Sequence, residues 1–228
     1  MKRFPSAVFK YLTGLLSTRA AAPKDVAVPG KFQEYKAGAE RGDAEAQFSL
    51  GFCYDDGRGV AKNAAEAVKW YRKAAEQNYV PAQFNLGVCY ANGQGVRKDK
   101  EEAVKWFRMA AEQNYAPAQS NLGYCYDNGR GVEKDYAEAV KWYRKAAEQG
   151  HAEAQVNLGC CYANGQGVAK DRVEAYAWFS MAAKADADAA ESRDLMRKEL
   201  TPQQFTDAQK RMKALRSQIK PRFKPSTS

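Results

Sequence analysis

Between residues 44 and 187 the apolar positions fall into paired runs of helical length, parted by glycine-rich breaks. In the first pair, Ala46, Leu50, Cys53 and Tyr54 recur at steps that share one helix face. This predicts a helix A from about Ala44 to Asp56, with Asp43 placed to cap its start. The run stops at Gly57-Arg58-Gly59-Val60, where glycines supply the positive-φ turn that ends a helix. A helix B follows, with Ala67, Tyr71, Ala74 and Ala75 on one apolar face. Its small alanines let neighbouring helices approach closely. The pattern predicts an all-α chain.

The pair is written four times at a rigid spacing of 36 residues, over 44–79, 80–115, 116–151 and 152–187. Gly51, Gly87, Gly123 and Gly159 align, and so do Trp70, Trp106, Trp142 and Trp178. A fixed period of this length is the signature of a solenoid. Pro81 and Pro117 fall in the first turn of their A helices, where a missing N–H costs nothing, and His151 takes the Asp43 position of the fourth copy. Each B helix opens on a capping-box pattern: Asn63 and Glu66, Asp99 and Glu102, Asp135 and Glu138, Asp171 and Glu174. In that box the first side chain caps an early N–H and the glutamate reaches back. Capping accounts for these carboxylates, so they are assigned no acid–base chemistry. The Gly-x-Gly breaks lack the preceding strand of a phosphate-binding loop.

The flanks read differently. Residues 1–31 form a basic segment in which Val8, Tyr11, Leu12, Leu15 and Leu16 fit one face of a short amphipathic helix. The same stretch has a weak resemblance to a signal peptide, interrupted by Lys10 and with Pro23 near the cleavage position. Pro23 to Gly30 reads as linker. Residues 32–43 match the second half of a unit and form a degenerate leading half-repeat. Residues 188–217 supply two capping helices, the second opened by Thr201-Pro202-Gln203-Gln204, with Phe205, Ala208, Met212 and Leu215 toward the last repeat. Residues 218–228 read as a basic tail.

Charge and cysteine content narrow the function classes. The net charge of +9 is made of +5 in residues 1–31, −1 in 32–187 and +5 in 188–228. A nucleic-acid channel would carry its excess along the repeats; here the repeat body is neutral, and no nucleic acid is expected as partner. Cys53, Cys89, Cys125 and Cys161 share one repeat position, with Cys160 beside the last. One recurring thiol per unit reads as a small buried hydrophobe rather than a disulfide framework. With His151 the only histidine, no metal set and no cofactor is expected.

The unit resembles the Sel-one-like repeat, a relative of the tetratricopeptide repeat with two more residues per unit. The match is carried by Ala46, Gln47, Leu50, Gly51, Tyr54, Gly57, Gly59, Val60, Ala67, Trp70, Tyr71, Ala74 and Ala75, which recur with few changes. The TPQQFTDAQK stretch looks like the terminal helix of bacterial members. The resemblance implies a right-handed α/α superhelical solenoid whose A helices line a concave face, and a scaffold or adaptor role without catalysis. Cysteine-rich bacterial relatives, to which beta-lactam binding has been attributed, pair two cysteines per repeat. This chain has no cysteine in any B helix, which argues against a groove-based hydrolase of that type.

Comparing the copies assigns the faces of helix A. With residue 45 at 0°, positions 46, 47, 50, 51, 53 and 54 are nearly constant and span about 80° to 240° of the helical wheel. Variable positions lie opposite, and the resemblance implies that they face the concave side. They present Phe48 and Phe52, Phe84 and Val88, Ser120 and Tyr124, and Val156 and Cys160, beside a ladder of Ser49, Asn85, Asn121 and Asn157. Exposed aromatics would anchor a partner and amides would bond its main chain. The expected partner-binding set is Phe48, Phe52, Phe84, Asn85, Val88, Asn121, Tyr124 and Asn157. The expected partner is a protein or peptide. Two further readings stay open: the N-terminal amphipathic segment folds back over the aromatics, or residues 1–31 contact a membrane surface. A cytoplasmic location is expected, or an exported one if the N-terminus is a cleaved signal. Copies one and three share Asp-x-Gly-Arg-Gly, and copies two and four share Ala-Asn-Gly-Gln-Gly. The chain therefore also carries a 72-residue period.

Overall fold

A computed structural model describes residues 19–23 and 30–219. The amphipathic helix expected within residues 1–16, the linker residues 24–29 and the tail 220–228 lie outside the described residues. Among the described residues there are eleven α-helices and no strands: α1 (Lys31–Glu40), α2 (Ala44–Asp56), α3 (Ala64–Glu76), α4 (Val80–Asn92), α5 (Lys100–Glu112), α6 (Ala116–Asn128), α7 (Tyr136–Glu148), α8 (Ala152–Asn164), α9 (Arg172–Ala182), α10 (Ala187–Glu199) and α11 (Pro202–Gln218). Helices adjacent in sequence pack together, the mark of a helical-repeat solenoid. The chain divides into two compact units. The first holds the described residues 19–23, 30–121 and 130–133, and the second holds 122–129 and 134–219.

In the first unit α1 packs on α2, α2 on α3, α3 on α4 and α4 on α5. Tyr35 and Ala39 of α1 join Leu50 and Cys53 of α2 in one core cluster. Helix α4 is buried at every position from Ala82 to Ala91, so its neighbours cover it all round. Its turn ends on Gly95, with φ +68°, where a Cβ would stand 2.1 Å from the Ala64 carbonyl oxygen. The second glycine of the break is thus needed twice, for its backbone angle and for close passage over the start of α3. Glutamines tie consecutive pairs together. The buried Gln47 amide donates to Ala39 O at 3.2 Å, and Gln83 donates to Ala75 O at 3.3 Å. Each adds a side-chain donor to a carbonyl at the preceding helix end, to which the Gly42 and Asn78 N–H groups also donate. Gln77 and Gln113 in turn donate to the Oε1 atoms of Gln47 and Gln83, both at 2.8 Å.

In the second unit α7 packs on α8, α8 on α9, and α9 on both α10 and α11. Val156, Cys160, Phe179, Ala189 and Met196 form its core cluster. Helix α11 covers α9 with buried Ala208 and Leu215, and Phe205 meets Tyr176 edge-on at 5.6 Å. The full capping box occurs at α11, between Thr201 and Gln204. At the B helices only half of it forms. Asn63, Asp99, Asp135 and Asp171 accept from the backbone as expected. The glutamates turn outward to Lys69, Lys105 and Lys141, or meet the indoles of Trp106 and Trp178. The cap's own N–H is already taken: those of Asn63, Asp99, Asp135 and Asp171 donate to the carbonyl oxygens of Tyr54, Tyr90, Tyr126 and Tyr162.

Candidate peptide-binding face of the A helices

The expected row of open aromatics is corrected by the structure. Phe48, Phe84, Val88 and Tyr124 are buried. Phe48 packs against Tyr71 and Tyr79 at ring distances of 5.7 and 5.3 Å, and Phe84 against Phe107 and Tyr115 at 5.9 and 5.4 Å. These rings are wedged between an A helix and the B helix that follows it. Phe52 alone stays half-buried, with the Arg58 guanidinium 5.9 Å from its ring centre. The asparagines Asn85, Asn121 and Asn157 are buried as well.

The first unit shows what lies on Asn85. Residues 19–23 have no regular secondary structure. The Ala20 N–H donates to Asn85 Oδ1 at 2.7 Å. Arg19 forms an ion pair with Asp55 and donates from Nη2 to Gln94 Oε1 at 3.2 Å. Asp55 sits on the last turn of α2, 2 % exposed, and the Tyr71 hydroxyl donates to it at 3.4 Å. Burial pushes this carboxyl up from its ordinary value, while Arg19 and the Tyr71 hydroxyl pull it down. The guanidinium therefore offsets the cost of a desolvated carboxylate. One segment thus lies on the asparagine-bearing face through its main chain and its side chain together.

In the second unit the equivalent residues are Asp127, Tyr143 and Asn157. Asp127 is buried, which pushes its carboxyl up, opposed by Lys134 and the Tyr143 hydroxyl. That hydroxyl lies beside the carboxylate without meeting hydrogen-bond geometry. Neither the amide nitrogen nor the oxygen of Asn157 has a hydrogen-bond partner among the described residues.

The chain's nucleophile and base candidates serve the fold. His151 accepts the Ala154 N–H at Nδ1, 3.3 Å away, and burial lowers its pKa to about 4. All five cysteines are buried thiols, and burial pushes Cys89 and Cys161 up to about 12. Among the described residues no group of histidine, cysteine and carboxylate side chains could hold a metal ion.

Comparison with known families finds the Sel1 repeat over residues 44–79, 80–115, 116–151 and 152–186, more than half of the chain. The chain belongs to the Sel1 repeat family. Sel1 repeat proteins are commonly protein–protein interaction scaffolds, and generally not enzymes. Among solved structures the chain is similar to a protective antigen of uropathogenic Escherichia coli strains displaying an SLR fold. The two are 37 % identical with a TM-score of 0.78, and the match covers 86 % of this chain and 44 % of the antigen. This chain thus spans less than half of the antigen's length. It is equally 37 % identical to a Sel1 repeat protein from Oxalobacter formigenes, with TM-score 0.68 and coverage of 82 % and 81 %. A putative Sel1 repeat protein from Klebsiella pneumoniae shares the fold at 20 % identity, TM-score 0.51, with 81 % and 99 % covered. A comparison with curated proteins finds no match.

Within these Sel1 repeats, sequence comparison picked out the asparagine ladder and missed Asp55. The signal was present: aspartate at 55 and 127 alternates with Ala91 and Ala163, and the hydroxyl of Tyr71 and Tyr143 alternates with Phe107 and Phe179. Aspartate and hydroxyl come and go together.

Proposed function

We propose that this Sel1 repeat protein is a non-catalytic scaffold that binds a non-helical segment of a partner protein along the asparagine-bearing face of its A helices. The observation that carries this is the seat of Arg19 and Ala20. A side-chain amide takes a main-chain N–H, which any sequence offers, and a buried carboxylate takes one cation, which selects among sequences. The residues that read the segment are the asparagines and the aspartate. Phe48, Phe84 and Val88 hold the helices that present them. Phe52, three residues before Asp55 and so on the same helix face, borders the seat.

Site-directed photocrosslinking in cells tests the reading. A benzoylphenylalanine at position 52 of the full chain should give an adduct with a discrete partner protein. The same group at position 69, on the exposed side of α3, should not. Adducts from 69 with none from 52 would place the interface on the B helices and overturn the proposal.

A further inference from the structure

We infer that Asp127, Tyr143 and Asn157 form a second arginine site, which takes an arginine side chain and the main-chain N–H of the next residue from a partner's segment. The inference rests on the scaffold role proposed above and gives it a ligand chemistry. Its first support is the internal copy. Asp55, Tyr71, Asn85 and Gln94 hold Arg19 and Ala20 in the first unit. The same four residue types recur two repeats later as Asp127, Tyr143, Asn157 and Gln166.

The second support comes from the second unit alone. Asp127 is 6 % exposed and has no cation within ion-pair distance among the described residues. Asn157 is 3 % exposed, and both ends of its amide lack partners there. A buried carboxylate and a buried amide cost free energy until a ligand satisfies them. The missing complement is one cation for Asp127 and one N–H for Asn157 Oδ1, which is what Arg19 and Ala20 supply in the first unit.

Arginine suits the site better than lysine. In the first unit one guanidinium nitrogen meets Asp55 while the other reaches Gln94, a division of donors that a single ammonium point charge does not reproduce. The residue after the arginine must keep its N–H, which excludes proline, and should be small, as Ala20 is buried where it lies.

The test uses the full-length protein and a labelled peptide, acetyl-Ser-Thr-Arg-Ala-Ala-Ala-amide, the sequence of residues 17–22. Fluorescence anisotropy should show saturable binding. Asp127→Asn should weaken it about tenfold or more, as expected when a buried charge pair loses one partner. Lys69→Glu, on the exposed side of α3, should leave it unchanged. Two peptide changes give the same information without a protein variant: citrulline for arginine, and N-methylalanine for the alanine after it. Each should weaken binding to the wild-type protein about tenfold. The citrulline peptide should no longer distinguish wild type from Asp127→Asn. Absence of saturable binding overturns the inference. So does binding indifferent to Asp127→Asn and to citrulline, or a loss that follows Asp55→Asn instead, since the peptide would then be displacing Arg19. If any of these occurs while position 52 still crosslinks to a partner, the scaffold role stands and only the arginine site falls.

Discussion

Replacing Gly87 by alanine sets two known effects against each other inside α4. Helix propensity alone favours alanine by about 1 kcal/mol. Against it stands the position of the Phe107 ring. A Cβ on Gly87 would lie 2.7 Å from both Cδ1 and Cε1 of Phe107, and 3.3 Å from the Ala103 carbonyl oxygen. Carbon atoms sit comfortably at about 3.5–4.0 Å, so the ring must retreat by nearly 1 Å. It has nowhere to go: Phe107 is fully buried and Phe84 stands 5.9 Å from its centre, itself backed by Tyr115 at 5.4 Å. Overpacking of this kind costs about 1–3 kcal/mol, and a ring held on its far side belongs near the upper end. The expected net loss is about 1–2 kcal/mol. Urea titrations followed by far-ultraviolet circular dichroism and by tryptophan fluorescence would measure it, provided the two transitions coincide. Phe107→Leu in the Gly87→Ala background should recover about 1 kcal/mol relative to the sum of the single changes. A Gly87→Ala protein as stable as wild type, or strictly additive variants, would mean that the glycine does not serve the helix contact.

Three further outcomes are expected. Phe48→Ala should cost about 3–5 kcal/mol in the same titration, as for a core ring, and Phe52→Ala clearly less, so equal losses would contradict their different burial. Gln83→Leu should cost about 1–2 kcal/mol by removing the buried amide that bonds Ala75 O and accepts from Gln113, and a neutral melting change would deny the glutamine this role. The thiols should resist Ellman's reagent at pH 8 until urea is added, because Cys89 and Cys161 are buried and pushed up to about 12; rapid reaction of the native protein would refute this.

The repeat register, the helix pairs, the glycine breaks and the aspartate and asparagine caps were all legible in the sequence, because each follows from local chemistry that recurs four times. The orientation of helix A was not. Constancy between copies marks positions whose neighbours are the same in every copy, and it says nothing about exposure. Ser120, Val156 and Cys160 vary freely at their repeat positions and are buried all the same. Helices packed on several sides have no polar stripe to reveal, as α4 illustrates. The glutamates of the B-helix caps were misread for a different reason. Glu102 takes Lys105 and the Trp106 indole, while the cap N–H of Asp99 goes to the Tyr90 carbonyl nine residues earlier, a bond that capping-box spacing does not reveal. Asp55 was hidden in the same way, since its partner Arg19 lies 36 residues earlier, outside the repeats.

Asp127 carries a last prediction, in which stability and binding move in opposite directions. Its carboxyl is raised above the ordinary 3.8 by burial. A group with a raised folded-state pKa favours the folded state fully only below its unfolded value, and that contribution is lost as pH rises through the folded value. At neutral pH the wild-type protein therefore bears the cost of a desolvated charge, offset in part by Lys134 and Tyr143. Asp127→Asn removes the charge and nearly keeps the shape. It should raise the melting temperature at pH 7, and the gain should shrink toward zero as pH falls toward 4. Asp55→Asn should gain less, because it also discards the ion pair with Arg19 that already compensates the buried carboxylate. Melting curves at several pH values, without peptide and with saturating peptide, distinguish the cases. Bound arginine peptide should stabilise the wild-type protein more than Asp127→Asn and reverse their order. A lower melting temperature for Asp127→Asn at pH 7, or a difference independent of pH, would show that the carboxylate is already compensated within the fold.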